Sequence, residues 1–348
     1  MKIGSKSIGG GNPCFIIAEL SANHNGDLNV AIETIRAAKK TGADAIKLQT
    51  YTPDTLTIDC DNDHFKIEGG TLWDGKSLYE LYGEAYTPWE WHKKLFEVAE
   101  EEGLICFSSP FDNTAVDFLE NLNVPAYKIA SFEIQDIPLI EYAASKGKPI
   151  IISTGIAEEE DIQLAVDTCR KVGNNDIILL KCTSSYPAPL ELANLNTIPD
   201  LKARFGVEVG FSDHTYGSLA PTVATTLGAK VIEKHFILDK AVGGPDADFS
   251  LDVKEFTDLV NQVRDTEKLL GKISYEISDK VKKNKKFARS LFVVKDVKAG
   301  DIITKENIRS IRPGYGMHPK HYNDILGKKF KSSSKRGEPL FIDMIDSN

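Results

Sequence analysis

Two histidines sit where they could share one task. His214 closes the apolar run Val207-Glu208-Val209-Gly210-Phe211-Ser212-Asp213-His214, and His235 falls at the end of Ala229-Lys230-Val231-Ile232-Glu233-Lys234-His235-Phe236. Both runs have the aliphatic density of buried strands, and the segment between them has the length of one helix. Two imidazoles at the same edge of neighbouring parallel strands can hold one divalent metal. A metal with only two protein ligands keeps positions for water and substrate, as electrophile activation requires. One strand-end histidine alone is more often structural; the pairing favours the metal.

Lys47 and Lys128 each interrupt an otherwise apolar strand, where an unpaired ammonium is costly. They read as a cationic grip on a phosphate or carboxylate, helped by the hydroxyls of Ser131, Ser153 and Ser212. A rival reading makes one of them a Schiff-base lysine. A third is a salt bridge to Glu19 or Glu133, which the recurrence of both lysines at strand ends makes less attractive. Glu19 is a candidate general base or acid, with structural pairing to Lys47 as the competing reading. Glu233 and Lys234, just before His235, read as supports behind the histidine site, without a placed partner.

These side chains need elements that bring them together. Strand-like runs recur at Phe15–Leu20, Ala45–Thr50, Leu104–Ser109, Ala126–Ser131, Pro149–Thr154 and Ile177–Thr183, followed by the two that carry the histidines. Helix-sized segments separate them. The first has Leu28, Ala31, Ile35 and Ala38 on one face, Asp27 as N-cap and Gly42 as C-terminal stop. Eight strands alternating with helices predict a closed (β/α)8 TIM barrel. A doubly wound sheet would want a glycine-rich turn after its first strand, but Gly9-Gly10-Gly11 precedes it. Polar residues gather at the C-terminal strand ends: Glu19, Lys47, Gln49, Ser108, Ser109, Lys128, Ser131, Ser153, Thr183, Ser212, His214 and His235. In a barrel that face carries the chemistry.

Between Thr50 and Trp89 lies an oversized, aromatic-rich connection. Trp73, Tyr79 and Tyr82 either stack on a ligand or pin the loop. The barrel pattern, read as residues 1–272, ends with a helix whose Phe256, Leu259, Val260 and Val263 share a face. A lysine-rich linker follows over 273–289. Residues 290–348 change to short strands and turns, a small mostly β module.

A formal net charge of −9 argues against a general nucleic-acid surface. The five cysteines include no C-x-x-C pair, so they read as reduced core thiols. No apolar run is long enough to span a bilayer, and the first residues lack a signal-peptide core, so the expectation is a cytoplasmic protein.

The segments IIAELSANHNG, GADAIKLQTY, FSSPFD, YKIASFEI, IISTGIA, LLKCTSSYPAP, GFSDHT, EKHF and GGPDADFS together resemble the sialic acid synthase family. Those enzymes condense phosphoenolpyruvate with an N-acylated amino sugar to give nonulosonic acids. The C-terminal part, with RPGYG, is similar to the family's antifreeze-like (SAF) module. Within the family, FKIEGGTLWDGKSLYELYGEAYTPWEWH and YKIASFEI are most similar to the pseudaminic acid synthase branch. That implies 2,4-diacetamido-2,4,6-trideoxy-altrose as acceptor, with N-acetylneuraminic or legionaminic acid synthesis as the alternative. A Schiff-base aldolase and a non-catalytic sugar-binding protein are alternatives of another class.

The resemblance implies roles residue by residue. His214 and His235 match ligands of a catalytic divalent metal, manganese foremost, with magnesium or cobalt as substitutes. Lys47, Lys128, Ser131, Ser153 and Ser212 match phosphoenolpyruvate-holding positions, with Ser109 and Ser184 as helpers where the family often has threonine and asparagine. Glu19 matches the proposed base. Gln49, Tyr186 and Asp246 match the sugar side. Arg312 matches an arginine that reaches from one subunit's small module into its partner's barrel, which implies a domain-swapped homodimer.

Overall fold

Eight parallel strands close into a barrel: β1 (Phe15–Glu19), β2 (Ala45–Thr50), β3 (Ile105–Pro110), β4 (Tyr127–Ile129), β5 (Ile150–Ser153), β6 (Ile177–Cys182), β7 (Glu208–Asp213) and β8 (Val231–His235). β8 pairs with β1 to complete the ring. The structure is a computed structural model describing residues 1–68 and 74–346. Trp73 therefore lies outside the described residues. All eight strands fall where the apolar runs predict them, and the barrel expectation holds.

Side chains of a strand alternate between its two faces, so each barrel strand sends every second residue inward. Phe15, Ile17, Ala45, Phe107, Ala126, Ile151, Ile178, Leu180 and Val231 form one interior cluster. The residues between them, such as Ile16, Ile46, Leu48, Ile150 and Leu179, join the larger core under the surrounding helices. Ile3 and Ile8 belong to the interior cluster too. They reach it on either side of a hairpin of two-residue strands, Lys2–Ile3 and Lys6–Ser7. That hairpin has no signature in the sequence because two residues carry no periodicity.

Local chemistry sets the helix ends. The helix Leu28–Thr41 is capped by Asp27, whose Oδ1 accepts from Asn29 N at 2.7 Å, and stops at Gly42, φ 87°. The helix Val253–Leu270 buries Phe256, Leu259, Val260 and Val263, as its pattern predicts.

The long connection after β2 is tied to the barrel at several points. Trp89 Nε1 donates to Tyr51 O at 3.0 Å, Thr87 Oγ1 meets His24 Nε2 at 3.2 Å, and Thr50 Oγ1 meets His92 Nε2 at 2.8 Å. Of the loop aromatics singled out from the sequence, Tyr79 is held within the loop by Asp54, at 3.2 Å. Tyr82 packs edge-on against Tyr51, with ring centroids 5.8 Å apart.

The chain divides into two compact units, Met1–Gly271 and Lys272–Asn348. The second has its own core around Leu291, Val293, Ile308, Phe330 and Leu340. β9 (Ser290–Val293) and β10 (Ile308–Ile311) pair antiparallel. Two turns in it each close with a backbone bond, Asp301 N to Lys298 O at 3.1 Å and Glu338 N to Lys335 O at 3.2 Å. Among the described residues no helix is long and apolar enough to cross a membrane.

Candidate active site

Following the inward-facing residues up each strand, the barrel interior changes character at one level. Ile17 gives way to Glu19, Ala45 to Lys47 and Gln49, Phe107 to Ser109, and Ala126 to Lys128. Ile151 gives way to Ser153, Leu180 to Cys182, Gly210 to Ser212, and Val231 to Glu233 and His235. The alternation that builds an apolar floor at the N-terminal end thus builds a polar ring at the C-terminal mouth.

The ring is organised around two buried ion pairs. Lys47 Nζ lies 2.8 Å from Glu19 Oε2, donates to Ser109 Oγ at 3.2 Å, and lies 3.7 Å from Glu233 Oε1. Lys128 Nζ donates to the same Glu233 oxygen at 3.0 Å, and Ser212 Oγ does so at 3.2 Å. The salt bridge to Glu19 that sequence reading ranked below ligand binding is therefore present. It is compatible with a cationic grip, because two ammoniums and two carboxylates neutralise one another until an anion arrives.

Burial and neighbours set the proton affinities. Burial pushes the Glu19 carboxyl up to about 7, against the pull of Lys47. Burial works to raise Glu233, but Lys128 and Lys47 outweigh it and hold this carboxyl below its usual range. Lys47 stays above the ordinary lysine value because Glu19 and Glu233 outweigh its burial. Burial lowers Lys128, and its pairing with the shared Glu233 carboxylate does not make up the difference. Glu133, which feels Lys128, is raised by burial to about 7.

A second group lines the mouth between β6 and β8. His214 and His235 face one another with ring centroids 5.4 Å apart. Tyr186 packs on His214 at 4.3 Å, and Phe249 on His235 at 4.9 Å. Burial lowers His214 to about 4 and His235 well below its usual value, so both imidazoles are neutral, the form with a lone pair to give. A carbonyl only accepts, so His214 Nδ1–H must donate to Thr183 O, at 3.1 Å, which leaves Nε2 unprotonated. His235 Nδ1 is buried without a hydrogen-bond partner among the described residues, and Asp246 Oδ2 lies 3.6 Å away. Among those residues no cluster of three or more His, Cys, Asp or Glu side chains forms a complete metal cage. The donors fit an ion held by two histidines and completed from outside the protein.

The predicted residues separate into those the barrel gathers and those it does not. Glu19, Lys47, Gln49, Ser109, Lys128, Ser153, Ser212 and His235 stand on the inner face. Ser131 and Ser184 are hydrogen-bonded to each other at the rim. A Cβ at Gly155 would lie within 3.0 Å of Ser131 Oγ, Ser184 Oγ and Cys182 Sγ, so any side chain there must displace the two hydroxyls. Ser108 turns outward to Thr50, at 2.6 Å, and the Thr183 hydroxyl donates to Leu192 O. Both leave the strand-end set. Arg312 belongs to the second compact unit, just after β10.

Sequence reasoning placed Glu233 no further than behind the histidine site, yet it receives three donors or cations. The signal was available: Val231, Glu233 and His235 share one face of β8. Its neighbour Lys234 faces the other way, fully buried against Asp213, and is structural. Cys182, read as a core thiol, is free and buried but belongs to the inner face, 3.9 Å from His214 Nδ1.

Residues 34–275 match the NeuB family, and residues 288–346 match the SAF domain. The chain belongs to the NeuB family. It is 52% identical over 326 residues to pseudaminic acid synthase of Campylobacter jejuni subsp. jejuni serotype O:2, covering 94% of this chain and 95% of that one. It is 51% identical over 335 residues to pseudaminic acid synthase of Helicobacter pylori, covering 96% and 98%. Among solved structures it resembles the N-acetylneuraminic acid synthetase of Leptospira borgpetersenii serovar Hardjo-bovis, solved with citrate, at TM-score 0.73 and 33% identity over 82% of this chain and 94% of that one. The NeuB match and the resemblance read from the motifs agree.

Proposed function

We propose that this chain is a pseudaminic acid synthase, condensing phosphoenolpyruvate with 2,4-diacetamido-2,4,6-trideoxy-altrose to give pseudaminic acid and phosphate. The observation that carries it is the polar ring: Lys47, Lys128, Glu19 and Glu233 converge on one barrel mouth beside the facing imidazoles of His214 and His235. The identity to two enzymes of that name over nearly the whole chain supports the choice of acceptor.

In this reading Lys47 and Lys128 exchange part of their pairing with Glu19 and Glu233 for the phosphate and carboxylate of phosphoenolpyruvate. Ser109, Ser131, Ser153, Ser184 and Ser212 supply hydroxyls around it. Ser153 Oγ, buried and without a hydrogen-bond partner among the described residues, is suited to that work. His214 and His235 would hold a divalent ion, manganese by preference, which supplies Lewis-acid polarisation of the open-chain sugar's aldehyde. The C3 carbon of phosphoenolpyruvate attacks that aldehyde carbon, and its oxygen takes a proton to become a hydroxyl. Water adds to the cationic C2, and Glu19 takes one of its protons and supplies the one the new sugar hydroxyl needs, while the other departs with the phosphate. The C2–O bond to phosphate then breaks, leaving the keto group. Gln49, Tyr186 and Asp246 face the sugar.

The small unit would act on a second copy of the chain, with Arg312 reaching the partner's sugar site in a domain-swapped homodimer.

The test is incubation with phosphoenolpyruvate and, separately, the altrose-type sugar, N-acetylmannosamine and the legionaminic acid precursor, with phosphate release and product mass measured. Phosphate and a condensed product are expected with the first sugar above the other two. Release with none of them, or a lysine adduct trapped by borohydride, would count against the assignment.

A further inference from the structure

Ser21 has a left-handed backbone, φ 47°, without being glycine, and its side chain is buried. That conformation is unfavourable for an L-residue and persists only where the surroundings impose it. Here they do. Asn23 N donates to Leu20 O at 3.0 Å to close the turn. Asn23 Nδ2 donates to Phe236 O at 3.0 Å and Ser250 Oγ at 2.8 Å, and Ser250 Oγ donates to Asp246 O at 2.6 Å. The segment after β1 is thus latched to the segment after β8.

Glycine would fit this turn better but would lack the hydroxyl. Ser21 Oγ donates to Asp246 Oδ2 at 2.5 Å and accepts from Gln49 Nε2 at 2.9 Å. The same Gln49 amide donates to Glu19 Oε1 at 2.9 Å. An amide nitrogen only donates and a serine hydroxyl has one hydrogen to give, so every bond has a forced direction. The Gln49 amide gives one proton to Glu19 and one to Ser21, and Ser21 gives its own to Asp246. Both Gln49 N–H groups are then engaged, and its carbonyl oxygen is the part of the amide left for a ligand. None of Ser21's hydrogen bonds reaches Lys47, Lys128 or the serines around them.

We infer that Ser21 is a positioning residue for the acceptor sugar, its hydroxyl locking the Gln49 amide and the Asp246 carboxylate into one bonded arrangement beside Glu19. This rests on the proposed function, in which Gln49 and Asp246 face the sugar. The strained turn is retained because the hydroxyl orients two sugar-side groups at once.

The experiment compares full-length wild type, Ser21→Gly and Ser21→Ala for kcat, for the KM of each substrate and for the thermal midpoint. It uses phosphoenolpyruvate and the sugar that the wild type turns over. Ser21→Gly removes the hydroxyl and relieves the backbone, so its midpoint should equal or exceed that of wild type. Its KM for the sugar should rise, or its kcat fall, by about tenfold or more, while the KM for phosphoenolpyruvate moves by less than about twofold. Ser21→Ala should show the same kinetic split. Wild-type kinetics in Ser21→Gly would overturn the proposal, as would equal losses on both substrates with a lowered midpoint. A wild type that releases no phosphate with any candidate sugar would instead overturn the functional reading, and this assignment with it.

Discussion

Glu19 and Lys47 are register partners on adjacent strands, and their side chains meet at 2.8 Å inside the barrel mouth. Burial raises this carboxyl to about 7 even so. A base must be unprotonated, so turnover should fall on the acid side with an apparent pKa near 7, about tenfold per pH unit below it. A pH–rate profile tests this, and Glu19→Gln should be slow and flat over the same range.

Glu233 serves two lysines, so its loss should be felt in stability first. Removing one partner of a buried pair costs about 3–5 kcal/mol. For a unit of this size that is a fall in thermal midpoint of roughly 10 °C. Calorimetry of Glu233→Gln with and without phosphoenolpyruvate checks it. The ligand should restore more of the midpoint in the variant than in wild type, because it replaces the missing anion.

Gly155→Ala places a methyl group against Ser131, Ser184 and Cys182. The KM for phosphoenolpyruvate should rise by about tenfold or more while the far-ultraviolet circular dichroism spectrum stays native. An unchanged KM would show that the two serines do not hold that substrate.

Glu133 offers a pH-dependent stability difference. Its folded-state carboxyl is raised to about 7 by burial. The stabilisation this gives is complete below the unfolded value near 4.5 and is lost as pH rises through 7. Glu133→Gln should therefore melt above wild type at pH 8 and level with it at pH 4, which paired thermal melts will show.

The barrel was readable in the sequence because its strands are buried on both faces and stand out as apolar runs. The site was readable wherever a charged residue broke such a run, as Lys47 and Lys128 do. Glu233 escaped because Lys234 and His235 beside it made the segment look like an ordinary polar strand end; only the two-residue alternation separates the inward carboxylate from the outward lysine. Ser21 escaped for another reason. Its role comes from a backbone angle and a partner 225 positions away, and neither leaves a local pattern. Ser108 was wrongly grouped with Ser109 because strand-end position alone does not say which of two neighbours faces inward.

Manganese binding tests the pairing of the two histidines most directly. Electron paramagnetic resonance titration of the metal-free full chain should show one manganese ion held per chain. That binding should be lost in both His214→Ala and His235→Ala while the thermal melt of each variant stays cooperative. Undiminished binding in either variant would contradict the account.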